Sequence, residues 1–184
     1  FDLARLAGPG IIVRNARDGE EFLPLGEGAT AIGLHSEDLV IADAERPVAL
    51  AGVKGGAASA VTTETTDILI EAATFDPVRV RAASRRHGIA SDSSYRFERG
   101  VHPAAIDVAA DRLVSLILEV AGGRLCPGVL DVGGPMPPAR TASMRTARAR
   151  AVLGVDTPDE AMAGMLDRLG FAPRLEAGVI HCTV

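Results

Sequence analysis

Two uninterrupted apolar runs lie close together: Leu39-Val40-Ile41-Ala42, bracketed by Asp38 and Asp43, and Pro47-Val48-Ala49-Leu50-Ala51-Gly52-Val53. A strand with one wet face alternates apolar and polar residues, and neither run does so. Both are therefore expected as strands covered on both faces. A third run, Ile68-Leu69-Ile70 within Asp67–Ala73, reads as another buried strand, ending at the carboxylate of Glu71. Residues 10–17 and 21–25 read as shorter strands on either side of the turn signal Asp18-Gly19.

The helices announce themselves by their ends. Asp76-Pro77 supplies an N-cap followed by proline at the first helical position, and Gly88 supplies the stop, which predicts a helix over 77–87. Pro103 opens a longer one. Ile106, Ala109, Ala110, Leu113, Ile117 and Val120 recur at helical spacing before Gly122-Gly123. Between the two lies a hydroxyl-rich stretch, 91–100, expected as a polar loop. Residues 133–139 (Gly-Gly-Pro-Met-Pro-Pro-Ala) have linker composition. Beyond them, 145–153 and the segment opened by Thr157-Pro158-Asp159-Glu160 read as helices, and 179–184 as a strand. The expected fold class is α+β. Mixed β-sheets with packed helices occupy residues 1–138, and a small, partial, winged-helix-like α module occupies 139–184.

Composition narrows the function classes. The chain has 184 residues, 47% hydrophobic and 23% charged, which is a globular balance long enough for a sizeable core. Aromatic residues make up 3%, with no Trp and only Tyr95, so a surface stacking several bases is excluded. The formal charge of -5 excludes a simple polycation. No apolar run approaches the about 18 residues of a membrane span, and no membrane partner is expected. Cys126 and Cys182 build neither a disulfide framework nor a zinc site, and the four histidines have no metal-ligand spacing, so no metal is expected. The start, Phe1-Asp2-Leu3, carries neither Met nor a signal peptide, and the chain reads as a cytoplasmic fragment of a longer protein.

Several residues invite a chemical reading beside a plainer one. Gly52-Val53-Lys54-Gly55-Gly56 is not a Walker loop, lacking the Gly-Lys-Ser/Thr ending. It is either a tight turn or a place where free backbone N–H groups approach a ligand oxygen. Glu71 is either ion-paired with a nearby arginine or an acceptor aimed into a pocket, because a strand-end carboxylate is costly to bury alone. Arg96, Glu98 and Arg99 suit a local salt-bridge network. Ser91 and Ser93 suit a cavity wall, but no Gly-x-Ser-x-Gly elbow surrounds them. Arg140, Arg145, Arg148 and Arg150 fall in a stretch without acids until Asp156, forming either a solvated face or a contact for RNA phosphates.

The ordered series Ala51-Gly52-Val53-Lys54-Gly55-Gly56, Thr65–Glu71, Phe75-Asp76-Pro77, Ala83–Gly88 and Ser91–Val101 resembles the B3/B4 editing domain of bacterial phenylalanyl-tRNA synthetase beta subunits. Residues 141–184 resemble the first part of the following B5 domain. The resemblance implies hydrolysis of tyrosine wrongly attached to the phenylalanine tRNA. Such proofreading is needed because an apolar pocket rejects an analogue with one extra hydroxyl by only about 100-fold. It further implies that Glu71 accepts the tyrosyl para-hydroxyl. Gly55 and Gly56 would lie at the scissile ester, with Ser91 and Ser93 against the substrate. Family members usually have Thr and Ala at those two serines. Their editing histidine falls two residues before Phe1. Water would attack the ester, helped by the substrate's terminal ribose. The implied partners are the aminoacyl end of tRNA(Phe) and a synthetase alpha subunit. ATP and magnesium would serve the parent ligase and not this segment.

Overall fold

A computed structural model describes residues 1–134 and 138–183. The chain forms two compact units, Phe1–Leu130 and Asp131–Val184. Part of the expected linker, residues 135–137, lies outside the described residues.

The first unit is organised around an antiparallel sheet of β1 (Ile12–Asn15), β4 (Leu39–Ala42), β5 (Pro47–Leu50) and β6 (Lys54–Gly55), in the order β1-β4-β5-β6. The two long apolar runs are its central strands, and both are covered on both faces. Val40 and Ala42 pack with Phe22, Leu34, Leu50, Val53, Val80 and Ala83 on one side. Ile41 and Ala49, which are cross-strand partners, pack with Ala51, Phe1, Leu6 and Phe75 on the other. The register slips by one residue between Ile41 and Ala42, where the chain turns into Pro47. A second, two-stranded ladder joins β2 (Glu21–Phe22) to β3 (Ile32–Gly33).

The expected helix 77–87 is α1 (Pro77–His87). The Asp76 carboxylate accepts the N–H groups of Val78 and Arg79 at 2.9 and 3.0 Å, and Gly88 closes the helix in the left-handed conformation. Its buried residues Val80 and Ala83 face the sheet.

Three expectations are corrected. Residues 67–73 form no strand. Among the described residues their pairing is with the chain start alone: Asp2 bridges Ile68, and Leu69 exchanges hydrogen bonds with Phe1. The expected loop at 91–100 contains a short helix, α2 (Asp92–Phe97), because Ser91 and Ser94 form a capping box. The long helix, α3 (Ala105–Ala121), begins two residues after Pro103 and buries none of its residues completely. Ile106, Ala110, Val114 and Ile117 are half-buried, whereas Val120 is 84% exposed.

The second unit runs β7 (Thr141–Arg145), α4 (Thr146–Leu153), α5 (Asp159–Arg168), β8 (Arg174–Glu176) and β9 (Val179–Thr183). The expected order of helix, helix, strand is present, framed by two further strands. The sheet order is β7-β9-β8, antiparallel throughout. Ile180, Ala149 and Met162 form its core, with Met144, Leu166 and Leu175 packed against them. The molecule is thus α+β in both units. Among the described residues no helix is long and apolar enough to cross a membrane.

Candidate functional site

Glu71 lies beyond the pairing of residues 67–69 with the chain start. It shares a cleft of about 320 Å³ with Phe1, Val61, Ile68, Leu113 and Ile117. Every one of those neighbours is apolar. The cleft is at the small end of the range for ligand pockets, about 300–1,000 Å³. Burial pushes the Glu71 carboxyl above its ordinary range. The expected alternative, an ion pair with a neighbouring arginine, does not occur among the described residues. Glu71 is therefore a half-buried acceptor among apolar side chains, with no ion-pairing arginine among the described residues, and burial makes its charged form costly.

That cost sets a pH dependence. A carboxyl whose folded pKa is raised favours the fold while protonated, below its unfolded pKa of about 4.3. The contribution is lost as pH rises through the folded value. Glu71→Gln should accordingly raise the melting temperature at pH 7 and leave it nearly unchanged at pH 4. Equal melting of the two proteins at both pH values would contradict this account of the site.

The glycine and serine segments meet one another. The Ser91 hydroxyl donates to the Val53 carbonyl at 2.6 Å, and the Ser93 hydroxyl donates to the Gly52 carbonyl at 3.1 Å. The start of α2 is thereby fastened to the turn between β5 and β6. Ser91 also caps α2 by accepting the Ser94 N–H at 3.0 Å. It lines a second cleft, of about 390 Å³, with Ser84, Ala90, Asp92, Ser94, Tyr95 and Glu98. Glu71 does not line that second cleft.

The two glycines differ. The Gly56 N–H is not free, because it donates to the Val48 carbonyl at 2.8 Å. A Cβ there would stand 2.8 Å from that carbonyl oxygen and 3.1 Å from the Phe22 ring, so the residue is small for packing reasons. Gly55 faces open space: a Cβ would meet nothing within 4 Å. Of the expected pair, only Gly55 keeps an open approach.

The charges expected to form a local salt-bridge network in 91–100 do pair locally, with Asp92 as a further member. Arg99 binds Glu98 at 2.7 Å, and Arg96 faces Asp92 at 3.9 Å. In the second unit, Arg140, Arg145 and Arg148 are exposed. Arg150 is already matched, donating to Asp159 at 2.7 Å and to the Thr157 carbonyl at 2.9 Å. The described residues contain no group of three or more His, Cys, Asp or Glu able to hold a metal ion.

Sequence reasoning missed two features. One is the wall that α3 gives the Glu71 cleft, whose only signal was the apolar stripe holding Leu113 and Ile117. The other is a buried ionic cluster at the end of α1. Asp38 is completely buried; it accepts from Arg86, from His87 at 2.6 Å and from the His35 N–H at 2.8 Å. Its signal was an acid opening a buried strand, matched by basic residues in a helix's last turn.

A family model for the B3/4 domain matches residues 1–122. The chain is also 46% identical over 172 residues to the phenylalanine–tRNA ligase beta subunit of Symbiobacterium thermophilum, covering 94% of this chain and 19% of that protein. It is 42% identical over 186 residues to the corresponding subunit of Salinibacter ruber, and 45% identical over 184 residues to that of Moorella thermoacetica. Both alignments take in all of this chain and 22% of the relative. The chain thus spans roughly a fifth of the length of the curated relatives it matches. An N-terminal fragment of the phenylalanyl-tRNA synthetase beta-subunit from Pyrococcus horikoshii aligns with the whole chain and 52% of its own at 14% identity. Its TM-score of 0.41 is too low to bear on the fold. The matched family segment coincides with the unit that holds the Glu71 cleft and the fastened serine helix, and the chain belongs to the B3/4 domain family.

Proposed function

We propose that this chain is the editing segment of a phenylalanine–tRNA ligase beta subunit, hydrolysing tyrosine from mischarged tRNA(Phe). The observation that carries the reading is Glu71: a half-buried carboxylate, its charged form disfavoured by burial, among apolar side chains in a cleft of about 320 Å³. A phenol O–H satisfies that acceptor, whereas a phenyl ring leaves it unpaired. A hydrogen bond to a charged acceptor is worth roughly 1.5–3 kcal/mol, so the preference for tyrosine is about ten-fold or more.

In this reading the ester lies toward Gly55, as the family resemblance implies; Gly55 has an open side but lines neither cleft. Ser91 and Ser93 act chiefly by holding the turn that carries it. Water is the nucleophile, since no side chain of the site pairs a nucleophile with a base. Residues 139–184 are the start of a B5 domain, with Arg140, Arg145 and Arg148 available to RNA phosphates. The alpha subunit is the partner and carries the ATP and magnesium chemistry of the parent ligase. The setting is the cytoplasm.

Calorimetric titration tests the specificity. Glu71→Ala should weaken tyrosine binding about ten-fold or more while barely changing phenylalanine binding. Equal losses for both ligands would remove Glu71 from the site. Deacylation of tyrosyl-tRNA(Phe) tests the reaction itself. A second reading, a non-catalytic tRNA-binding scaffold, is favoured by the bonded Gly56 N–H. It predicts tRNA binding without ester hydrolysis, including in a form extended upstream of Phe1.

A further inference from the structure

The α1–α2 layer carries a charge opposite to that of the chain as a whole. Residues 76–99 hold six of the 19 basic side chains but only three of the 24 acidic ones. Two of these arginines are tied down elsewhere: Arg86 to Asp38 and Glu37, and Arg79 to the Glu37 carbonyl. Arg81 and Arg85 are exposed and enter no ion pair among the described residues. They sit four residues apart and share one helix face, next to Ser84 of the second cleft.

The chain's single tyrosine belongs to the same cleft. Tyr95 is 61% exposed, and the Arg99 guanidinium lies over its ring, 3.6 Å from the centroid. Arg99 is fixed there by Glu98 at 2.7 Å and by the Tyr95 carbonyl at 2.6 Å. Glu98 is thereby neutralised. Asp92, the remaining acid of the cleft, is fully exposed and faces Arg96. An exposed ring oriented by an arginine, beside unpaired cations, matches the way proteins hold single strands: bases stack on aromatic faces while basic side chains follow the backbone.

We propose that the α1–α2 face binds single-stranded RNA, with Tyr95 stacking one unpaired base and Arg81 and Arg85 contacting adjoining phosphates. The choice of RNA over other polyanions rests on the editing reading above.

The test is fluorescence anisotropy of the full chain with a short, fluorescein-labelled single-stranded RNA across a salt series. Tyr95→Ala should weaken binding about 5- to 100-fold, the equivalent of one base stack, and Tyr95→Phe should restore it. The double change Arg81→Ala and Arg85→Ala should reduce the salt slope by about 1.4, the loss of two phosphate contacts. A duplex of the same sequence should bind less tightly. Indifference to Tyr95→Ala, or equal affinity for the duplex, would overturn the proposal. All three positions are exposed, and a thermal melt of each variant confirms an intact fold. Deacylation of tyrosyl-tRNA with RNA affinity indifferent to Tyr95 would refute this surface alone. A Tyr95-dependent RNA complex without any deacylation would refute the editing reading alone.

Discussion

Asp38→Ala is expected to lower the melting temperature by about 6–12 °C at neutral pH, the equivalent of about 3 kcal/mol in a domain of this size. The carboxylate is completely buried at the start of β4 and gathers three donors: the Arg86 guanidinium, the His87 ring and the His35 N–H. Alanine leaves all three without their acceptor. Arg86 is partly exposed and can fall back on Glu37 at 2.8 Å, which keeps the loss near the lower end for a broken buried pair. His87, whose side chain is 8% exposed, has no such recourse. Burial by itself would raise the Asp38 carboxyl. The hydrogen bonds from His87 and His35 and the charges of His87 and Arg86 outweigh it and hold the carboxyl below its ordinary range. The stabilisation is therefore complete above the unfolded pKa of about 3.9, and it disappears as pH falls through the depressed folded value. Thermal melts of wild type, Asp38→Ala and Asp38→Asn across this range check it. An Asn variant melting with the wild type at pH 7 would show that the charge contributes nothing.

Gly52→Ala is expected to cost about 2–4 kcal/mol, combining a left-handed backbone with an overfilled core. Gly52 has φ +69°, and a Cβ there would stand 2.9 Å from Val80 and 3.0 Å from the Phe75 ring. Val80 is buried on α1, and Phe75 packs against Phe97 with ring centroids 5.2 Å apart, so neither can retreat cheaply. Gly19 provides the control. Its φ of +73° is nearly the same, but a Cβ there would meet nothing within 4 Å. Gly19→Ala isolates the backbone cost, and the difference between the two melts reads the packing. Equal losses would mean that the turn relaxes away from the aromatic pair.

What could be read beforehand was local. The cap, proline and stop of α1 all lie within 76–88, and the central strands announce themselves by unbroken apolarity. Glu71 stood out as an acid closing an apolar run. Its segment is nonetheless no strand, because it pairs only with Phe1–Leu3, more than sixty residues earlier, an arrangement periodicity cannot encode. β3 and β6 are two residues each, too short to show a period. α2 was hidden because serine favours both caps and turns, and only the reciprocal Ser91–Ser94 bonds distinguish them. β7, with Thr-Ala-Ser-Met, has weak intrinsic preference and takes its register from β9. The tethering of Ser91 and Ser93 to the glycine turn spans some forty residues and had no sequence signature at all.

β1 forms the outer margin of the four-stranded sheet and exposes Ile12 by 53% and Val13 by 58%. A bare apolar margin of this kind is a template on which further copies of a chain can stack. Here the sticky stretch is only Ile11 to Val13. Pro9 and Gly10 precede it, and Arg14, clamped to Glu20 at 2.7 Å, follows it. That is shorter than the roughly five to seven residues from which fibrils nucleate, so the same sheet that carries the glycine turn also resists growing into an aggregate.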